Sequence, residues 1–161
     1  MTSTEHILAE IPLVIRRRVK WGDCDPAGVV YTVTFSEYVI SAAELFYGSV
    51  FGTTPQRAKD EFGFDTPTRA LQFDFRSSLG PDDEFDMTVT VGDIRSRTYV
   101  LDVAARTPGG EDVFQAALTP ICAARGERRA IEIPVLLRAA LEQYRAACTT
   151  TAAARTKTHS D

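Results

Sequence analysis

The longest apolar stretch of the chain lies between Thr34 and Val50, where Phe35, Tyr38, Val39, Ile40, Ala42, Ala43, Leu45, Phe46 and Tyr47 crowd together. Glu37, Ser41 and Glu44 interrupt it, at spacings that put them on one narrow helical stripe. A helix apolar on almost every side is a buried helix, so this pattern predicts one that the rest of the fold encloses. Thr34-Phe35-Ser36-Glu37 fits a capping box at its start.

Downstream the period changes to two. Leu71, Phe73 and Phe75 alternate with Gln72, Asp74 and Arg76, and Phe85, Met87, Val89 and Val91 alternate with Asp86, Thr88 and Thr90. Tyr99, Leu101 and Val103 flank Asp102 in a third strand, and a fourth runs over about Val113–Ala124. Gly80-Pro81-Asp82-Asp83, Ile94–Arg97 and Thr107-Pro108-Gly109-Gly110 read as short antiparallel turns between them. Upstream, residues 11–21 form another strand, with Ile15, Val19 and Trp21 on one side and Val14, Arg16, Arg18 and Lys20 on the other. Residues 52–63 read as a loop, and Pro134 opens a short helix, Val135–Ala147. The expected organisation is one domain over 1–148 followed by a disordered tail, 149–161. It is α+β: an antiparallel five-stranded sheet wrapped around a long central helix.

Bulk properties narrow the function. With 161 residues and 44% hydrophobic content, one core of ordinary size is expected. A net charge of −4 argues against a nucleic-acid partner. No apolar run approaches the ~20 residues that span a bilayer, and the opening MTSTEHILAE lacks the basic start and apolar centre of an export signal. A cytoplasmic protein without a membrane association is expected.

Cys24, Cys122 and Cys148 are widely spaced and form no CxxC pair, which favours reduced thiols without catalytic work. His6 and His159 stand near the two ends of the chain. A core without histidine disfavours Ser-His-Asp and Cys-His hydrolases, and the missing His/Cys clusters disfavour a zinc site. No metal and no cofactor is expected. Carboxylates, hydroxyls and backbone dipoles are left to do the chemistry.

Gly22-Asp23-Cys24-Asp25-Pro26-Ala27-Gly28 puts two carboxylates just ahead of the predicted central helix. A helix N-terminus presents free N–H groups and favours developing negative charge. It can polarise a carbonyl while a carboxylate beside it attacks or activates water. Thioesters suit this arrangement, because a thiolate of pKa ~8.5 leaves without a strong general acid.

The run from Trp21 through GDCDPAG to Val29-Val30-Tyr31 resembles the signature of 4-hydroxybenzoyl-CoA thioesterases of the hotdog superfamily. Thr66-Pro67, the Asp82-Asp83 turn, Thr107-Pro108-Gly109-Gly110 and the stretch Gly126–Pro134 extend the likeness, which covers about Arg16 to Pro134. The resemblance implies hydrolysis of an acyl-CoA to free acid and CoA, with Asp25 as the catalytic carboxylate, acting as nucleophile or general base. It also implies a carbonyl-polarising backbone N–H at Thr32, with Gly28 and Tyr31 beside it. A water-positioning hydroxyl falls near Ser77 or Ser78, the latter better aligned, and CoA phosphate contacts fall at Arg95, Arg97 and Arg129. The family's helix aspartate, which receives the substrate phenol, is replaced by Ile40, so an acyl group other than 4-hydroxybenzoyl is implied. Thr32-Val33-Thr34 likewise replaces the family's aromatic-Pro-Asn.

Asp23 is expected to be structural, and the basic run Arg16–Lys20 to be a solvated strand surface. The alternative function is a non-catalytic module binding acyl-CoA or acyl carrier protein. Hydratase chemistry is weaker, for want of a histidine. Uncovered sheet edges, together with the resemblance, imply a homodimer or homotetramer with sites at subunit boundaries.

Overall fold

The computed structural model describes residues 3–158. Its main sheet has six antiparallel strands in the order β1-β2-β5-β6-β7-β4, one more than expected. These are β1 (Glu5–Glu10), β2 (Leu13–Arg18), β4 (Thr68–Phe75), β5 (Glu84–Ile94), β6 (Tyr99–Arg106) and β7 (Asp112–Pro120). A two-stranded ribbon joins β3 (Phe64–Asp65) to β8 (Ala123–Ala124). The additional strand, β1, pairs along β2 from Glu5 opposite Arg17 to Glu10 opposite Leu13. Its side chains are mostly exposed, so it lacks the apolar alternation that marks the others. His6 stands on this edge strand, exposed, and His159 falls outside the described residues.

Helix α1 (Thr34–Phe51) lies along the sheet and buries Phe35, Tyr38, Val39, Ala42, Ala43, Phe46 and Tyr47. Those positions follow the i, i+3, i+4 spacing of a single face, and each large side chain contributes roughly 1.5–3 kcal/mol of burial. Enclosure is one-sided: Ile40 joins Glu37 and Glu44 among the exposed positions. The capping box does not form. Val33 is the N-cap, without a side-chain hydrogen bond, and Glu37 instead reaches Arg17.

Residues 55–62 form a second helix, α2, where a loop was expected. Thr54 caps it, Pro55 opens it, and Gly63 ends it in the left-handed conformation. Only Ala58 is buried, so the apolar periodicity that signals a helix is missing.

Helix α3 runs over Val135–Thr158, well past Ala147 and through most of the segment expected to be disordered. Alanine has high helix propensity, and the hydroxyls of Thr149, Thr150, Thr151, Thr156 and Thr158 each bond the carbonyl four residues back. Leu137, Leu141 and Tyr144 anchor the helix to the core. The Tyr144 hydroxyl accepts the Leu13 N–H and donates to the Val89 carbonyl, clipping β2 and β5 together.

Strands β4 and β5 do not pair, so Gly80–Asp83 is no hairpin turn. Residues 76–83 instead cross the end of the sheet, with Leu79 buried and Val19 bonded to Asp82 and Asp83. This crossing brings Ser77 and Ser78 beside the GDCDPAG loop.

Candidate active site

Loop 24–30 is a small closed hairpin. Cys24 bridges Val30, the Asp25 N–H donates to the Val29 carbonyl, and the Gly28 N–H donates to the Asp25 carbonyl. Gly28 has a φ of +80°, which a side chain would strain. The Val30 N–H donates to the Leu79 carbonyl, locking this hairpin to the crossing segment.

Asp25 is partly exposed. Its Oδ1 accepts the Ala27 N–H at 2.9 Å, and among the described residues its second oxygen meets no partner. Asp23 is different. It is buried, and its Oδ2 accepts both the Lys20 N–H at 3.0 Å and the Tyr38 hydroxyl at 2.9 Å. Burial and this bond to a carboxylate push the Tyr38 phenol up, so it stays a donor. The structural role expected of Asp23 follows from these contacts.

The lead-in to α1 changes which donors are free. Thr34, Phe35 and Ser36 bond the carbonyls of Tyr31, Thr32 and Val33, each three residues back. Among the described residues no acceptor meets the N–H of Thr32 or Val33, so the unpaired donors of the helix start lie there. Tyr31 donates its N–H to the Asp23 carbonyl at 3.0 Å and leaves its ring exposed.

Thr32 lines a cleft of about 420 Å³ with Val30, Phe35, Phe75, Arg76, Ser77 and Ser78. Ser77 is committed: its hydroxyl donates to the Asp112 carbonyl at 2.7 Å. Ser78 is exposed, and among the described residues its hydroxyl meets no partner. Phe75 stacks on Phe73 and meets the Phe35 ring at a tilt, forming the cleft's apolar wall. Asp25 is not among the lining residues; it sits one rung from Val30, through its bond to Val29.

Other expected residues lie apart from this cleft. Ile40 borders a narrower crevice with Ala43, Glu44, Tyr47 and Leu118. Arg95, Arg97 and Arg129 are exposed at the opposite end of the sheet, where Cys122 donates to the Arg97 carbonyl and Ile133 to the Ser96 carbonyl. Strand β7, nine residues long, separates the two ends, or about 25–30 Å at ~3.3 Å per residue. The thiols are poor nucleophiles: burial raises Cys24 and Cys148, and pushes Cys122 up to about 11.

The reading of Arg16–Lys20 as solvated strand surface holds for Arg16 and Arg18 and fails for Arg17, which is 5% exposed. Its guanidinium lies 4.8 Å from the centre of the Tyr38 ring and pairs with Glu5 at 2.8 Å. Trp21, expected to share a strand face with Ile15 and Val19, is exposed, because β2 ends at Arg18 and a short 3₁₀ turn follows. Among the described residues no helix is long and apolar enough to cross a membrane.

The model of the thioesterase-like superfamily matches residues 19–141. A 4-hydroxybenzoyl-CoA thioesterase from Pseudomonas sp. (strain CBS-3) is 29% identical over 130 residues, covering 76% of this chain and 92% of that protein. Among solved structures, a gentisyl-coenzyme A thioesterase superposes with a TM-score of 0.70 at 20% identity, over 80% of this chain and 98% of its own. A 1,4-dihydroxy-2-naphthoyl-CoA thioesterase from Synechocystis gives 0.71 at 22%, over 80% and 93%. These likenesses bear out the hotdog architecture, with a six-stranded main sheet in place of five. Matched over most of its length, from Val19 just past β2 into α3, the chain belongs to the thioesterase-like superfamily.

Proposed function

We propose that this protein hydrolyses an acyl-CoA thioester, with Asp25 as its catalytic carboxylate. The observation that carries the reading is a free carboxylate oxygen on a locked hairpin and a free N–H just past its end. Asp25 keeps one oxygen without a partner, and the Thr32 N–H just beyond the hairpin has no acceptor among the described residues. Membership of the thioesterase-like superfamily and the curated relative's activity on a CoA thioester support the reaction class.

In this reading the thioester carbonyl points its oxygen at the Thr32 N–H, which stabilises the charge that builds there. Asp25 either attacks the carbonyl carbon or takes a proton from a water that does so. Collapse of the adduct breaks the C–S bond and releases the thiolate. On the water route the thiolate takes up the proton held by Asp25, directly or through solvent. On the nucleophilic route collapse leaves an acyl-Asp25 anhydride, which a water then hydrolyses, returning the Asp25 carboxylate and supplying the thiolate's proton. The products are the free acid and CoA, with one water consumed. Ser78 orients the water and Gly28 and Tyr31 shape the approach, whereas Ile40, set apart from this cleft in its own crevice, offers no hydrogen bond to a phenol.

Homodimeric or homotetrameric assembly belongs to the same proposal. β4 is an unpaired edge, and Phe75, Tyr31, Val33 and Ile40 leave apolar surface to solvent. Arg95, Arg97 and Arg129 are too distant from their own chain's cleft to hold CoA there, so they would serve a neighbouring copy. The protein is taken as cytoplasmic, acting on CoA or acyl-carrier thioesters.

Thiol release from benzoyl-, phenylacetyl-, butyryl- and octanoyl-CoA tests the reaction. Turnover of at least one supports it. Saturable binding of these compounds without release of thiol would favour the binding-module alternative.

A further inference from the structure

The strand β1 precedes the superfamily match, which begins at Val19, yet one of its side chains joins β2 to helix α1. Glu5 accepts the Arg17 guanidinium at 2.8 Å with one oxygen and the Ser41 hydroxyl at 2.7 Å with the other. Arg17 is buried and lies against the Tyr38 ring, and its second partner, Glu37, is looser at 3.4 Å and largely exposed. Tyr38 in turn donates to the Asp23 carboxylate.

Asp23 is the residue that closes the hairpin at both ends. Its carboxylate holds the Lys20 N–H ahead of the loop, and its carbonyl holds the Tyr31 N–H after it. Asp23 thus ties down both ends of the segment that carries Asp25 and leads to Thr32. A buried guanidinium needs a partner that also loses its water, and Glu5 meets that need better than Glu37.

We propose that Glu5, Arg17 and Tyr38 are positioning residues for the active-site hairpin, forming a relay from the N-terminal strand through helix α1 to Asp23. The proposal rests on the assignment of Asp25 above. The relay touches no reacting atom, so its loss changes the rate of the chemical step and leaves substrate affinity nearly alone. Catalysis is sensitive to this: a misplacement of about 1 Å can cost on the order of 10²-fold.

The test uses the full chain and whichever acyl-CoA of the four named above the wild type hydrolyses fastest. Tyr38→Phe keeps the ring and its contact with Arg17 and removes only the donor to Asp23. It is expected to lower kcat about tenfold with KM within about twofold of wild type, and Glu5→Gln to lower kcat about threefold. Because both act through Asp23, the double variant should be about as slow as Tyr38→Phe alone, short of the product of the two effects.

A merely structural role would lower the unfolding temperature and leave kcat per folded molecule unchanged, and that result overturns the relay. Should Tyr38→Phe fail to fold, Glu5→Gln carries the test, and an unchanged kcat there overturns the proposal as well. Asp25→Asn is run alongside. If it is inert while Tyr38→Phe and Glu5→Gln turn over at the wild-type rate, the relay fails and the role of Asp25 stands. If Asp25→Asn turns over at the wild-type rate, both fail.

Discussion

Tyr38 donates its hydroxyl to Asp23 across 2.9 Å, tying the buried face of α1 to the loop that precedes it. That bond separates the two acidic residues of the GDCDPAG motif. Asp23 is spent on structure, whereas Asp25 keeps a carboxylate oxygen that no described residue engages.

Replacing Asp23 by alanine therefore acts first on stability. The buried Tyr38 hydroxyl would lose its acceptor, at about 1–3 kcal/mol for an unsatisfied group, and the part-buried Lys20 N–H would lose its own at less cost. Urea denaturation followed by circular dichroism should show a lower midpoint with an unchanged slope.

Gly28 offers a cleaner perturbation of the same hairpin. An added Cβ would meet no atom within 4 Å, so the only cost is the backbone φ of +80°. Gly28→Ala should destabilise by about 1–2 kcal/mol, and Gly28→Asn by less, since asparagine tolerates this region. Equal midpoints for the glycine and alanine proteins would contradict that account.

For the arginines, the prediction concerns KM. Among the described residues the Arg129 side chain pairs with exposed Glu127 and the Arg95 side chain distantly with Asp93, so neither ion pair contributes much to stability. If they bind CoA phosphates, Arg95→Ala and Arg129→Ala should each raise KM several-fold while sparing kcat. Added salt should raise the wild-type KM and narrow that gap. Unchanged KM values at low salt would remove these residues from the CoA site.

Asp102 carries the pH prediction. Burial, with a smaller contribution from nearby Asp93, raises its carboxyl above the usual 3.8. The folded state then binds the proton more tightly than the unfolded one, so stability is fullest below pH 3.8 and falls as pH rises through the raised value. Asp102→Asn should be more stable than wild type at pH 7, with the difference vanishing toward pH 3. A difference that grew on acidification would have the wrong sign.

Much of this was legible in the residues. Helix α1 and strands β2, β4, β5, β6 and β7 announce themselves by period, and the GDCDPAG turn by composition. Arg17 shows where legibility stopped. It shares the parity of buried Ile15 and Val19, yet its charge reads as solvated surface, because a buried guanidinium makes sense only with its partner. That partner, Glu5, sits on a strand whose exposed side chains carry no alternation. Ser78 could be aligned from the motif, whereas its approach to Thr32 depends on a crossing of residues 76–83 that looked like a hairpin. Pairing partners across a sheet are set by packing, and a local pattern does not encode them.

The most direct measurement is the hydrolysis rate of Asp25→Asn. One isosteric change removes the charge and keeps the acceptor for Ala27, so the hairpin should stay closed. A loss of at least ~10²-fold in kcat/KM, with circular dichroism and the urea midpoint as in wild type, is the predicted result. Hydrolysis at the wild-type rate would contradict the account.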